Sequence, residues 1–325
     1  MGLTPKGDMT RRVPVSLGIT VLNEQETVRE LFVSIAKQHI APSEVVIVDG
    51  YSTDNTWQLL HELAAEYSKL PVRLFQHKGT VGAGRNAVFS HARFAWVATT
   101  DAGCVLEPSW LESLWDAQRS SKALIVAGYA IGAPKSNFEA AVVPYVLVMP
   151  DSVTDKFLPA TRSSLIHRSV WKQLGGFAEH VQVSEDFAFS RAARHAKIPM
   201  TFAPKAIVHW QPRSSVRAFW RMIYCQARDD IRLKNWRLKV LLVWLRYMLA
   251  VVVVTGAGMV GGLKTAIVLS IGGLFLYASW AIYKQLKWVP KSWFWFPTLQ
   301  FAADTAIMLG SLVGIAWYLK NLKKV

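Results

Sequence analysis

One strand-like segment ends abruptly in a single aspartate, and this constrains the chain more than any other feature. Residues 94–100 are mostly apolar, Asp101 follows them, and Ala102 and Gly103 come next. A carboxylate at the end of a buried strand is costly to desolvate unless a cation or several hydrogen-bond donors receive it. In open α/β sheets this edge is where ligands bind. A second interpretation is that Asp101 only begins a turn, as aspartate often does.

Strand-like and helix-like segments alternate over the first 212 residues. The predicted strands cover 13–21, 44–49, 72–76, 94–101, 124–131, 161–166, 200–203 and 206–209. The predicted helices cover 27–38, 56–67, a segment ending near residue 93, 108–120, 170–174 and 184–196. This alternation predicts right-handed βαβ units and a mostly parallel central sheet in an α/β domain. Asn23, Glu24, Asp49 and Asp101 all end strands, so we expect them to converge at one sheet edge.

An acidic pair begins the last of these helices. Ser184 is the expected N-cap, and Glu185 and Asp186 fall in the first turn. The positive end of the helix dipole favours ionised carboxylates at these positions. The pair therefore suits either simple charge complementation of the helix or a general base held in its ionised form.

Six motifs, in this order and at this spacing, resemble those of family 2 glycosyltransferases. They are Thr20–Glu24, Val46–Asp54, Gly82–Asn86, Thr100–Gly103, Gly175–Phe177 and Glu185–Asp186. Each motif is weak alone, and the set covers about residues 13–212. The resemblance implies the nucleotide-diphospho-sugar transferase fold called GT-A. It also implies transfer of a hexose with inversion, from a UDP- or GDP-sugar donor.

The resemblance also assigns roles to individual residues. It implies that Thr20, Glu24 and Asp49 bind the base and ribose of the donor and that Arg85 faces its nucleotide or diphosphate. Asp101 matches the first acid of the family's Asp-x-Asp motif, which contacts ribose and metal. Asp186 matches the general base, with Glu185 close to the acceptor. These last two are the predicted catalytic residues.

One departure from the family pattern concerns the metal. Gly103 stands where the family usually has a second acid, and glycine cannot ligate Mg²⁺ or Mn²⁺. His209 matches a position at which some GT-A enzymes supply a metal ligand, so Asp101 and His209 are the predicted metal-binding pair. A histidine beside a tryptophan is more often structural. Catalysis without metal, with Arg85 and other cations facing the diphosphate, is the alternative.

The end of the chain differs in composition from the rest. After Arg237 there are nine Lys and Arg residues and one acid, Asp304. Three apolar segments, at 240–263, 265–283 and 297–319, are long enough to cross a bilayer. Glycines at 256, 258, 261, 262, 272 and 273 are expected to let two of these helices pack closely. Residues 214–234 form a basic amphipathic helix that either lies on the membrane surface or packs on protein.

Charge and cysteine content narrow the location. The net charge of +15 fits an anionic membrane surface or nucleotide substrate, because the N-terminal part has no basic run interleaved with aromatics that predicts nucleic-acid binding. Two cysteines give no disulfide framework. The N-terminus lacks the apolar core of a signal peptide. The positive-inside rule predicts that the basic residues at 232–239 and 284–291 are cytoplasmic. Three crossings would place the lysines after residue 319 on the outside, against the same rule.

The sequence as a whole predicts four regions. They are an N-terminal tail (1–12), a GT-A domain (13–212), an amphipathic juxtamembrane helix (213–238) and a region of about three transmembrane helices (239–325). The predicted protein is a multi-pass enzyme of the cell inner (plasma) membrane with a cytoplasmic catalytic domain. Its acceptor is expected to be membrane-proximal or lipid-linked, either polyprenyl phosphate or a growing glycan. The rival hypothesis is a catalytically idle GT-A domain that serves as a membrane scaffold or binds a partner.

Overall fold

A computed structural model describes residues 11–153 and 157–321. Within these residues the chain divides into two compact units. One comprises 11–133, 153 and 157–211, and the other comprises 134–152 and 212–321. The predicted tail before residue 11 lies outside the described residues.

The first unit is built on one mixed sheet of eight strands. They are β1 (Arg12–Val21), β2 (Ala41–Asp49), β3 (Val72–Gln76), β4 (Trp96–Asp101), β5 (Cys104–Leu106), β6 (Ile125–Gly132), β7 (Ser163–His167) and β8 (Met200–Trp210). Their order across the sheet is β3-β2-β1-β4-β7-β6-β8-β5. The pairs among β3, β2, β1 and β4, and the pair β6 with β8, are parallel. The predicted α/β class and the GT-A-like sheet are therefore confirmed.

Three antiparallel pairings complete the sheet, and the sequence pattern did not reveal them. Strand β7 runs antiparallel to β4 and β6, and the short β5 runs antiparallel to β8. The segments predicted as two strands at 200–203 and 206–209 form the single strand β8. Since β4 is central and β5 lies at the sheet edge, residues 102–103 carry the chain out of the middle of the sheet.

Seven of the ten α-helices in the described residues precede strand β8, and six of these seven belong to the first unit. They are α1 (Val28–Ala36), α2 (Thr56–Glu66), α3 (Val81–His91), α4 (Trp110–Ser121), α5 (Asn137–Val146, grouped with the second unit), α6 (Arg168–Gln173) and α7 (Glu185–His195). The apolar faces of α3, α6 and α7 contribute to one buried cluster with the central strands, in which Phe89, Phe177 and Phe189 pack ring against ring.

The second unit holds the remaining helices. They are α8 (Val216–Arg232), α9 (Leu238–Leu286) and α10 (Phe296–Asn321), with a 3₁₀ turn at Pro290–Trp295. Among the described residues, two helical stretches, Leu238–Leu286 and Pro290–Asn321, are long and apolar enough to cross a membrane. The first has 49 residues and is broken at Gly262, whose φ of 75° and ψ of 179° are not helical. The number of membrane spans stays a prediction.

Helix packing in the second unit depends on glycines other than those predicted. A Cβ at Gly256, Gly262, Gly272 or Gly273 would have no neighbour within 4 Å. A Cβ at Gly310 would lie 2.5 Å from the Tyr224 carbonyl oxygen, and one at Gly314 would lie 2.7 Å from that of Arg228. The expectation of close packing at the α9 glycines is therefore wrong at these four positions. The close approach joins α10 to the amphipathic helix α8.

The only acid after Arg237 is fully buried and well satisfied. The carboxylate of Asp304 accepts hydrogen bonds from the Tyr277 hydroxyl at 2.7 Å and the Gln300 amide at 2.9 Å, and it forms an ion pair with Arg246. These residues connect both halves of α9 to α10. A buried carboxylate is tolerable in an apolar helix only with such partners.

Candidate active site

The centre of the site is Asp101, at the end of β4, which lies between two guanidinium groups. Arg85 Nη2 donates a hydrogen bond to Asp101 Oδ1 at 2.9 Å, and Arg162 Nε lies 3.5 Å from Asp101 Oδ2. Burial acts to raise the pKa of the Asp101 carboxyl, but the charges of Arg85 and Arg162 outweigh it and hold this pKa below its usual value. Asp101 is therefore an ionised carboxylate between two positive charges. These contacts go beyond what a residue that only begins a turn would make.

Arg85 reaches Asp101 because helix α3 begins close to the sheet. The side chain of Thr80 caps this helix by accepting a hydrogen bond from the Ala83 N–H at 3.3 Å. In its first turn, a Cβ at Gly84 would lie 3.2 Å from the methyl group of Thr20 in β1, and a Cβ at Gly82 would lie 2.3 Å from the Ala178 carbonyl oxygen in the segment before α7. One turn later the Arg85 side chain is buried, and its guanidinium contacts both Asp101 and Glu185.

The two members of the acidic pair have different environments. Glu185 is 2% exposed and forms an ion pair with Arg85. Asp186 is only half-buried; its Oδ1 accepts the Phe187 N–H at 2.7 Å, and the Thr161 hydroxyl lies 3.5 Å from Oδ2. Ser184 precedes α7 as expected, but its φ is 68° and its hydroxyl makes no capping bond. The first turn of α7 thus directs one carboxylate inward and leaves the other accessible.

Asn86 fixes the loop that leads towards the acidic pair. Its Oδ1 accepts hydrogen bonds from the Phe177 N–H at 2.8 Å and the Trp171 indole at 2.9 Å, and its Nδ2 donates to the Phe177 carbonyl at 2.9 Å. The preceding Gly176 has a φ of 84°, and a Cβ there would lie 2.7 Å from Asn86 Oδ1. The motif containing Arg85 and Asn86 therefore holds both Asp101 and the segment before α7.

The loops after β1 and β2 are joined by hydrogen bonds. The Asn23 N–H donates to the Ser52 hydroxyl at 2.8 Å, and Asn23 Oδ1 accepts the Thr53 N–H at 2.8 Å. Asp49 is fully buried, and its carboxylate accepts bonds from the Ser52 hydroxyl at 2.5 Å and the Gln76 amide at 3.0 Å. The predicted donor contact of Asp49 stays a prediction, since the turn already uses much of its acceptor capacity.

Tyr51 is an outlier in this region. It has a φ of 64° and is 54% exposed. A bulky residue in the left-handed region is strained, and such strain is often retained at functional sites.

Two other predicted donor ligands lie near Asp101. Thr20 is the direct neighbour of Asp101 in the register of β1 and β4, and a Cβ at Gly84 would lie 3.2 Å from the Thr20 methyl group. Glu24 Oε2 lies 3.8 Å from the position of a Cβ at Gly103 and also contacts the Thr27 hydroxyl. The structure therefore brings Thr20, Arg85, Asp101 and Glu185 together, with Glu24 beside residue 103.

The predicted metal-binding pair has other contacts. His209 Nε2 lies 3.1 Å from Glu107 Oε1, on the strand position next to Trp210. Asp101 has two guanidinium neighbours, and Gly103 supplies no ligand. Over residues 11–153 and 157–321, no three or more His, Cys, Asp or Glu side chains are grouped to hold a metal ion. This set of side chains does not fit a divalent cation, which prefers several oxygen ligands.

Arg162 is the site residue that sequence reasoning missed. It precedes β7, and Ser163 stands opposite Thr100 in the antiparallel register of β7 and β4. That register places Arg162 beside Asp101, and the Arg162 guanidinium lies 5.0 Å from the centre of the Trp210 ring. Only knowledge that β7 pairs with β4 could have revealed it.

Comparison with known proteins now identifies the domain. Residues 16–160 match the family described as glycosyl transferase family 2. These residues are similar to the family 2 glycosyltransferases. It is 24% identical over 206 residues to the glycosyltransferase AglE of Haloferax volcanii, covering 61% of this chain and 67% of that protein. The family resemblance drawn from the motifs is thereby confirmed.

A solved structure shares the fold of this chain. The mannosyltransferase PcManGT from Pyrobaculum calidifontis, solved in complex with GDP-Man and Mn²⁺, superposes with a TM-score of 0.65. The match covers 94% of this chain and 89% of that protein at 18% identity. At this identity the similarity establishes the GT-A fold alone.

Proposed function

We propose that this family 2 domain transfers a hexose from a UDP- or GDP-sugar to a membrane-associated acceptor, with inversion at the anomeric carbon. The observation that carries the proposal is the contact of Arg85 with both Asp101 and Glu185. Through this contact, one guanidinium group bridges the predicted donor-binding carboxylate and the acidic pair. A donor-binding group and a proton acceptor are the two functions that an inverting transfer needs.

The donor assignment rests on charge and on the fold. The similar PcManGT is described in complex with GDP-Man. A nucleoside diphosphate is anionic, and Arg85 and Arg162 stand at the end of β4, where ligands of α/β sheets bind. Thr20, Glu24 and Asp49, at or after the ends of β1 and β2, are the proposed contacts to base and ribose.

Asp186 is the proposed general base. The acceptor oxygen attacks the anomeric carbon, the bond from that carbon to the diphosphate oxygen breaks, and the nucleoside diphosphate leaves with the electron pair. A hydroxyl acceptor gives its proton to Asp186. Asp186 is partly accessible, and its Oδ2, 3.5 Å from the Thr161 hydroxyl, is the oxygen proposed to take the proton, whereas Glu185 is buried against Arg85. Glu185 therefore holds the Arg85 side chain in position in this mechanism.

The proposed acceptor is membrane-associated. The two apolar helical stretches support an enzyme anchored at a membrane. The basic residues at 232–239 and 284–291 support a catalytic domain on the cytoplasmic side of a plasma membrane. A lipid-linked glycan presents a hydroxyl, which needs a base. A polyprenyl phosphate presents an oxygen that is already largely ionised at neutral pH, because the second phosphate pKa is about 6. Dependence on Asp186 therefore distinguishes these two acceptors.

A panel of labelled UDP- and GDP-sugars, incubated with membranes containing the full chain, tests the proposal. Transfer of label to a lipid-extractable product is the expected result. Membranes with an Arg85→Ala variant are expected to lose it, and an Arg29→Ala variant, changed in an exposed ion pair with Glu66, serves as the control. If the purified chain binds none of the nucleotide sugars, the idle-scaffold hypothesis replaces this one.

The predicted Mg²⁺ or Mn²⁺ stays a separate question. The Mn²⁺ in the PcManGT complex makes a divalent cation a reasonable partner for the diphosphate. The contacts of Asp101 and His209 in this chain favour the alternative of neutralisation by side-chain cations.

A further inference from the structure

Arg162 has a hydrogen-bonding group that the protein leaves unused. Its Nε is buried and has no hydrogen-bond partner among the described residues, because its distance of 3.5 Å to Asp101 Oδ2 is an ion-pair contact without hydrogen-bond geometry. The side chain is 23% exposed, so part of the guanidinium reaches the surface. A buried donor without an acceptor is costly. An incoming anion would bind the exposed part of the same guanidinium.

The surroundings of Arg162 are those of an anion site. The guanidinium lies against the Trp210 ring, which orients its plane, and the second guanidinium of the site, that of Arg85, lies on the other oxygen of Asp101. A divalent cation bound to Asp101 would lie within a few ångströms of both guanidinium groups, and their positive charges would repel it. A phosphate oxygen would instead gain charge-assisted hydrogen bonds, for which the arginine fork is well shaped.

Gly103 explains why arginine is needed here. The position where the family usually has a second acid offers no ligand, and the nearest side-chain atom to a Cβ there is Glu24 Oε2 at 3.8 Å. His209, the other predicted metal ligand, lies against Glu107. With the second acid gone, charge on the leaving diphosphate has to be balanced by another group.

We propose that Arg162 binds the diphosphate of the donor and that this enzyme neutralises its leaving nucleoside diphosphate with guanidinium groups, without a required divalent cation. The inference rests on the proposed nucleotide-sugar donor. Arg162 then acts on the bond that breaks between the anomeric carbon and the diphosphate, by stabilising the charge that develops on the leaving oxygen. Asp101 holds the guanidinium in place until the donor arrives.

Equilibrium binding of GDP and of UDP to the purified full chain tests this directly, in EDTA and in Mn²⁺. We expect the preferred nucleotide to bind the wild type within about twofold in the two conditions. Arg162→Gln should weaken binding by about tenfold or more, the size of one charge-assisted hydrogen bond. Arg162→Lys should recover part of the loss, and Arg119→Gln, at an exposed position of α4, should bind as the wild type does.

A gain-of-function variant provides a second arm. Gly103→Asp would place a carboxylate beside Glu24 and Asp101, with ordinary contact distances for the new Cβ. Its nucleotide binding should become dependent on Mn²⁺, because three close carboxylates repel one another without a cation.

Three results would overturn the inference. They are a loss of wild-type binding by more than about tenfold in EDTA, unchanged binding by Arg162→Gln, and Mn²⁺-independent binding by Gly103→Asp. Failure of the wild type to bind either nucleotide under any condition would instead refute the proposed function itself. The EDTA comparison uses only the wild type, so it holds even if a variant fails to fold.

Discussion

Arg85, in the second turn of α3, contacts Glu185, the first residue of α7, while its Nη2 lies 2.9 Å from the Asp101 carboxylate at the end of β4. One cation therefore joins a strand end to the N-terminus of a helix that follows it by more than eighty residues. Glu185 is nearly fully buried in this contact, whereas its neighbour Asp186 stays accessible. The acidic pair is therefore divided between a buried carboxylate that holds Arg85 and an accessible one.

Glu185→Gln should destabilise the glycosyltransferase domain. Removal of one charge from a buried ion pair leaves the other without compensation, and we expect a loss of about 1–3 kcal/mol in the free energy of unfolding. The thermal unfolding midpoint of the purified chain measures it. Glu66→Gln removes a half-exposed pair with Arg29 and should cost less than about 1 kcal/mol. Equal midpoints for the two variants would contradict the assigned role of Glu185.

Asp186→Asn should abolish most transfer to a hydroxyl acceptor and leave nucleotide binding unchanged. Loss of a positioned general base typically lowers the rate by about 10²–10⁴-fold. Single-turnover transfer rates and nucleotide binding, measured on the same preparation, separate chemistry from donor affinity. Asp116→Asn, at an exposed position of α4, is the control. A full transfer rate to a hydroxyl acceptor in Asp186→Asn would refute the base assignment.

Tyr51→Gly should make the protein more stable and a weaker binder of the donor. The left-handed backbone at Tyr51 costs about 1–2 kcal/mol for an L-residue, and the exposed ring loses little burial when removed. Part of this gain in stability is lost, because glycine has greater conformational freedom in the unfolded chain. Lys122→Gly, at another left-handed position that caps α4, should stabilise similarly without changing nucleotide affinity. Equal nucleotide affinities of Tyr51→Gly and wild type would mean that the strain has no role in the site.

Gly310→Leu should disrupt the second unit, while Gly272→Leu should have little effect. Both substitutions add the same side chain to an apolar helix, but only at Gly310 would the Cβ meet another backbone, that of Tyr224 at 2.5 Å. Helix α8 would have to move away from α10. Thermal unfolding in one detergent compares the two variants, and a larger loss for Gly272→Leu would mean that the helix contacts are misassigned.

Much of the donor side of the site followed from the sequence. Asn23, Glu24, Asp49 and Asp101 stand at the ends of predicted parallel strands, and since such ends share one edge, the alternation of strands and helices was enough to predict that they converge. Thr20 came from the family resemblance. Arg85 came from the family resemblance, and in the structure Gly84, the residue before it, lets α3 pack against Thr20 of β1. These are local signals, because the period of the apolar residues and the turn chemistry lie within one short segment.

The sequence by itself determined the α/β class, the family, the apolar C-terminal helices and the loss of an acid at Gly103. Only the tertiary structure decided what surrounds Asp101. Arg162 reaches it through the antiparallel register of β7 with β4, and His209 turns to Glu107 because successive side chains of β8 point to opposite faces. Register and strand direction depend on pairing between distant segments, which no local pattern of residues specifies. In the structure the end of β4 is contacted by the distant Arg162, while the metal-ligand role of His209 stays a prediction.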